Sequence, residues 1–269
     1  MLAARHAAVA GLFYPAEAQA LRCLVEQDLS HAATVDAGAT GAHGSPKLLI
    51  VPHAGYVYSG AVAASAYALL QGHSAHRIER VVLLGPAHRL AVRGLAAPHA
   101  QAFETPLGTV PLDCAALHEL DALAQVARSD APHAQEHSLE VQLPFLQALL
   151  GDDFELVPLL VGCAGADAVS EVLEALWGDA GTLVVISSDL SHYLSYEHAQ
   201  RVDRATAQRI LDLDAGLSPH EACGSAAING ALLNAKRHGL TPRLLDLRNS
   251  GDTAGDRGRV VGYGAFAFA

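Results

Sequence analysis

"KLLIVPHAGY" (residues 47–56) places an unbroken aliphatic run, Leu48 to Val51, directly before Pro52 and His53, then closes in Gly55 and Tyr56. Such a run between turn-forming residues reads as a strand covered on both faces, the kind found in the middle of a parallel sheet. Residues 80–84, 154–161 and 182–186 repeat the pattern. Between these runs the spacing turns helical. Residues 59–70 carry Val62, Ala66 and Leu69 on one stripe, and residues 139–150 carry Leu139, Leu143, Leu146 and Leu150. Pro144 inside the latter marks either a kink or a first turn. The alternation predicts an α/β fold with a mostly parallel central sheet and helices on both faces, in one domain spanning residues 1–269.

Toward the C-terminus, "SPHEACG" (residues 218–224) has the form of a helix start. Ser218 would cap, Pro219 would take the first helical position and Glu221 would complete a capping box. Gly224 interrupts that helix, and Ser225 is placed to cap a second one, "AAINGALLNAKRHG" (226–239), which ends at Gly239. "RVVGYGAFAFA" (259–269) reads as a last, antiparallel strand. The stretches "DAGATGAHGSP" (36–46) and "RNSGDTAGDRGR" (248–259) read as loops.

Composition narrows the function classes. With 51% hydrophobic and 17% charged residues there is material for a large core. The longest apolar runs fall far short of the roughly 20 residues needed to span a bilayer. The opening "MLAARHAAVAGLFYPAEA" is a poor secretory signal, since its apolar patch is short, contains His6 and runs into a proline turn. Cys23, Cys114, Cys163 and Cys223 show no CxxC spacing, so free thiols in a reducing cytoplasm are expected. A formal charge of −11 without a basic run disfavours nucleic acid.

Three predicted strands deliver chemistry just past their carboxyl ends: His53 after "KLLIVP", His88 after "RVVLLGPA", and Asp189 with His192 in "TLVVISSDLSH". In a parallel sheet these ends share one edge, where ligands bind. Each histidine alone is unremarkable among the 15 in the chain, and His73, His76, His99, His118, His198 and His238 read as surface residues. Three that converge point to a metal, because neutral imidazole is the commonest metal ligand. Gly55 and Gly85 beside them would allow close backbone approach. Cys223, ahead of a helix N-terminus that lowers a thiol pKa, is a further thiolate candidate. A Ser-His-Asp hydrolase is disfavoured, since there is no GxSxG and Ser187, Asp189 and His192 are too close in sequence. No GxGxxG follows a strand, which argues against a dinucleotide.

"AGLFYPA", "VPHAGYVYSG", "LLGPAH", "EHSLEVQLPFLQ", "VPLLVG", "SSDLSHY", "CG" before a helix and "GYGAFAF" occur in this order. Together they resemble the MEMO family, whose bacterial members are also called AmmeMemoRadiSam system protein B. The resemblance implies the fold of the class III extradiol dioxygenases. It also implies a metal site of His53, His88 and Cys223, with His192 as acid/base and Asp189 and His137 lining the pocket. Tyr56 or His137 would orient a bound diol. The implied activity is Fe(II)-dependent extradiol cleavage of a small aromatic diol by dioxygen. Where the dioxygenases finish a two-histidine, one-carboxylate set with glutamate, this chain has Cys223, a softer donor that also suits Cu or Zn. The alternatives are an iron or copper scaffold working with AMMECR1-like and radical SAM proteins, and a zinc hydrolase. After Cys223 and Gly224, "SAAI" replaces the bulkier, proline-containing segment of many relatives.

Overall fold

The computed structural model of the chain describes residues 3–36, 45–71 and 78–269. Strand β1 (Ala4–Arg5) leads to helix α1 (Ala18–Asp36), strand β2 (Leu48–Val51), helix α2 (Tyr56–Tyr67) and strand β3 (Arg80–Pro86). A run of short elements follows: β4 (Leu95–Ala97), β5 (Ala102–Thr105), β6 (Gly108–Pro111), α3 (Cys114–Glu119) and β7 (Val126–Arg128). Next come α4 (Leu143–Leu150), β8 (Glu155–Val161), α5 (Ala166–Ala175), β9 (Thr182–Ser187) and β10 (His192–Leu194). The chain ends in α6 (Tyr196–Leu211), α7 (Ser225–Arg237), β11 (Pro242–Asn249) and β12 (Val260–Phe268).

The four aliphatic runs are the centre of the main sheet. Its order is β10, β12, β2, β9, β3, β8, β4, β7, with β11 on the other edge of β12. Strands β2, β9, β3 and β8 are mutually parallel, whereas β12 and β4 flank them antiparallel. The sheet is therefore mixed around a parallel core. Every residue of β2 and β9 is buried, as two-sided cover requires. Helices α1, α2 and α4 pack together, with α2 on β2, β11 and β12; α7 pairs with α5 and covers β2, β3 and β9. One continuous hydrophobic cluster joins these layers. A smaller sheet, β1, β5, β6, carries the N-terminal segment. No helix among the described residues is long and apolar enough to cross a membrane.

Three local expectations need correction. Residues 139–150 split into a 3-10 turn, Glu140–Gln142, and helix α4, with Pro144 in its first turn. Proline is tolerated there because a first-turn N–H has no partner within the helix to lose. Residues 219–224 form turns rather than a helix. The backbone N–H and the hydroxyl of Ser218 do reach Glu221 Oε2, at 2.9 and 2.8 Å, but they close a turn against Arg209, which also holds that carboxylate. Helix α7 begins after Gly224, where a Cβ would lie 2.7 Å from Ser188 Cβ. It closes at Gly239, whose φ of +66° suits glycine. The 248–259 loop is shorter than expected, because β11 runs to Asn249. His73, His76 and residues 37–44 of the first loop lie outside the described residues.

Candidate metal centre

Because β2, β9 and β3 are adjacent and parallel, the residues just beyond them meet at one edge. His53 stands two residues past β2, Asp189 two past β9 and His88 two past β3. A third imidazole reaches the same edge from elsewhere. His137 belongs to the segment before the 3-10 turn, whose Ser138 and Leu139 lie on Gly85: a Cβ there would sit 2.9 Å from both side chains. One ligand atom from each of His53, His88 and His137 lies within 4.8 Å of the others. Their ring centroids are 5.2 Å (53 to 88), 5.4 Å (53 to 137) and 5.0 Å (88 to 137) apart.

Hydrogen bonds behind the rings fix which nitrogen faces forward. The Ser187 hydroxyl donates its one proton to the carbonyl of Ser138 (2.6 Å), so its oxygen only accepts from His53 Nδ1, 3.0 Å away. Gln142 Nε2 donates to the same oxygen (2.9 Å) and to Pro52 O, while its own oxygen receives the Tyr67 hydroxyl. His53 therefore carries its proton on Nδ1 and presents a bare Nε2. Burial holds its pKa well below the usual histidine value, helped by the neighbouring His137 and His88. The ring is neutral, the form a metal binds.

Glu136 does the same work for His88 and lies against His137. Its Oε1 lies 3.1 Å from His88 Nδ1 and accepts the backbone N–H groups of His137 (2.9 Å) and Ser138 (3.1 Å). Its Oε2 accepts the N–H groups of His88 (2.6 Å) and Arg89 (3.2 Å). His137 Nδ1 is also 3.1 Å from Oε1, but the angle is outside hydrogen-bonding range, so that contact is electrostatic. Burial opposes the charge of Glu136, yet the two histidines and the backbone donors hold its carboxyl far below the usual range. A carboxylate behind a ligating imidazole is the usual support of a metal site.

Cys223 stands beside this group. Its Sγ is 3.3 Å from His53 Nε2, and it is not among the three residues whose ligand atoms mutually converge. The expected depression of its pKa does not occur. Burial, and next the charge of Asp189, push the thiol up to about 12, outweighing the Ser188 and backbone contacts that favour the thiolate. A metal would have to displace that proton. Asp189, also buried, accepts the His53 backbone N–H at 2.8 Å, which anchors the loop. His192 Nδ1 donates to the Leu190 carbonyl at 2.9 Å, so Nε2 is the ring nitrogen left for another partner. Tyr56 is placed away from the site: it is buried, and its hydroxyl donates to Val141 O at 2.6 Å. Gly55 is likewise not needed for space, since a Cβ there would make only ordinary contacts.

The three imidazoles, Asp189 and His192 line an open cavity of about 620 Å³, with Phe13, Tyr58 and Tyr263 among its walls. This is within the size range of small-molecule sites. The model of the Memo-like protein family matches residues 5–267. The chain belongs to the Memo-like family. A MEMO1 family protein of Ignicoccus hospitalis is 37% identical over 98% of each chain. A counterpart in Methanopyrus kandleri is 36% identical over the same shares, and one in Metallosphaera sedula is 34% identical over 98% of this chain and 99% of its own.

Within this Memo-like chain, Glu136, Ser187, Gln142 and Arg5 are supporting residues that sequence reasoning missed. A carboxylate directly before a loop histidine, as in "EHS", was the available signal for Glu136. Nearby, His133 is buried, donates from Nε2 to Ala96 O (3.0 Å) and has no hydrogen-bond partner for Nδ1 among the described residues. Burial lowers its pKa to about 4. The unfolded chain takes up this proton below about pH 6.5 while the fold resists until about pH 4, so stability is intact above the first value and falls between them. The expected loss is on the order of 3 kcal/mol. Urea unfolding of chelated protein at pH 7.5 and 4.5 should show His133→Gln losing less stability than wild type by roughly that amount.

Proposed function

We propose that the chain is a non-haem metal oxidoreductase in which His53, His88 and His137, with Cys223 beside them, hold Fe(II), and that it cleaves a catechol-like diol with dioxygen in the extradiol manner. The observation that supports it is the convergence of three imidazoles on the floor of the cavity, with Nδ1 of His53 and His88 secured from behind. Imidazole nitrogens and a thiol that ionises on metal binding suit a borderline divalent ion. Iron held there would supply the redox chemistry that lets a diol react with dioxygen.

The side chains have separate tasks. His192, with its proton on the Leu190 side, is a base facing the cavity and would accept a substrate hydroxyl proton and later return one. Phe13, Tyr58 and Tyr263 offer flat apolar contact for an aromatic ring. Oxygen uptake after anaerobic Fe(II) loading, across a panel of catechols, tests the activity. Uptake with a yellow ring-opened product is expected; neither across the panel contradicts it.

Cys223 as a ligand has its own test. Cobalt-loaded protein should show an intense thiolate charge-transfer band in the near ultraviolet. Cys223→Ser should lose it while still binding cobalt through imidazoles, about tenfold more weakly. Absence of the band in wild type would leave the three histidines as the donor set.

A second reading is favoured by the rim. All the exposed large hydrophobic residues among the described ones, Leu12, Val57, Tyr58, Leu90 and Tyr193, line the cavity or adjoin residues that do. Exposed apolar side chains at a cavity rim suit a macromolecular partner, and so a cytoplasmic iron or copper scaffold docking AMMECR1-like or radical SAM proteins. Metal analysis of protein purified without added metal separates iron from copper and from zinc, and binding assays with those two partners test the docking.

A further inference from the structure

Helix α6 carries a buried carboxyl that no role above uses. Asp203 is 2% exposed, and no lysine or arginine among the described residues is paired with it. Burying a carboxylate without a counter-charge works against stability, which makes the group a candidate for chemistry. Its surroundings are fitted to it. A Cβ on Gly262 of β12 would fall 2.1 Å from Asp203 Oδ2, so the missing side chain is what gives the carboxyl room. Oδ1 accepts the Ser191 N–H at 3.0 Å. Gly262 grips the same stretch from the other side: its N–H donates to Ser191 O (2.8 Å), and its carbonyl accepts the Leu190 N–H (2.8 Å).

The peptide between Leu190 and Ser191 thereby links two ionisable side chains. Its N–H donates to Asp203, and its carbonyl accepts from His192 Nδ1 at 2.9 Å. Hydrogen bonds in series polarise one another, so a negative charge on the N–H side makes the carbonyl a stronger acceptor. The imidazole proton is drawn to Nδ1, and the other ring nitrogen is left to the cavity that His192 lines. A positive charge gained by that ring is stabilised through the same peptide, as by the carboxylate that bonds a catalytic histidine directly. Burial raises the Asp203 pKa, opposed by the Ser191 N–H and by the charge of His192, which is within electrostatic reach. Asp189 also feels that charge, but it accepts the His53 N–H at 2.8 Å and has no hydrogen bond to His192.

We propose that Asp203 is a positioning residue for His192, and that it acts through the Leu190–Ser191 peptide to hold the imidazole proton on Nδ1. The use of His192 as acid and base rests on the diol reading above; the relay itself does not.

Nitrogen NMR of the histidine side chains in zinc-loaded protein tests the relay, at about pH 8, above the ordinary histidine range, with His192→Gln assigning the signal. Wild type should show His192 protonated at Nδ1. Asp203→Asn keeps an oxygen that can accept the Ser191 N–H but loses the charge, and the proton should redistribute toward Nε2 while the fold stays at least as stable. Gly262→Ala, which pushes the carboxylate away with its charge intact, should give the same redistribution. In Fe(II)-loaded protein Asp203→Asn should cut kcat for catechol by about 10- to 100-fold, with KM and metal content unchanged. A His192 signal identical in wild type and Asp203→Asn would overturn the proposal, as would a variant whose only change is lower stability. Redistribution of the proton without catechol turnover in either protein would uphold the relay and count against the diol reading alone.

Discussion

Glu136→Gln is expected to weaken metal binding by about 10- to 100-fold, measured by competition with a chelator of known affinity. An amide of the same shape retains one acceptor oxygen and replaces the other with an NH2 group. Oε1 serves His88 Nδ1 and two backbone N–H groups, and Oε2 serves two more. Whichever way the amide turns, at least two buried donors meet another donor. Each costs about 1–3 kcal/mol, so the fold should also lose about 3 kcal/mol or more. Where the NH2 group takes the place of Oε1, nothing holds the His88 proton on Nδ1, and that ring is free to turn. A variant that binds metal as tightly as wild type would show that Glu136 is structural only.

Arg5→Met should be the most destabilising of the variants considered, at about 3–5 kcal/mol in urea unfolding. Glu140 is fully buried, and its carboxylate is held by Arg5 Nη1, by the N–H groups of Ala8 and Val9, and by the Tyr14 hydroxyl. Removing the arginine leaves that charge without its counter-charge. Arg5 also donates from Nε to His133 O (2.8 Å) and from Nη2 to Glu136 O (2.6 Å), so it clamps the segment that presents Glu136 and His137. Metal affinity should fall along with stability. Combined with Glu140→Gln, the loss should be smaller than the sum of the single losses, by about 2 kcal/mol. Strict additivity would mean that the pair does not act as a unit.

The parallel core was legible because four unbroken aliphatic runs admit little but two-sided burial, and with it came the edge where His53 and His88 meet. The short strands β4 to β7 were not, since three or four residues carry too little pattern and owe their form to pairing partners. His137 follows no strand; its place depends on Gly85 admitting Ser138 and Leu139, which no local spacing encodes. Glu136, Glu140 and Arg5 carry no local pattern that marks them as buried, and only the tertiary network that compensates them makes their burial tolerable. Cys223 was located, but its protonation was misjudged. A helix N-terminus favours a thiolate only where solvent or charge does not argue otherwise, and here burial and Asp189 prevail. Tyr56 sits in a metal-site motif yet points into the core, where Tyr14 and Phe145 surround it.

The central claim is that imidazole Nε2 atoms at the carboxyl edge of the sheet hold one metal ion. Crystals of metal-loaded protein measured at the metal's absorption edge test this most directly. The account predicts a single anomalous peak about 2.1 Å from Nε2 of both His53 and His88, with their Nδ1 atoms still on Ser187 and Glu136. A peak bound through Nδ1, or no peak at this edge of the sheet, would contradict it.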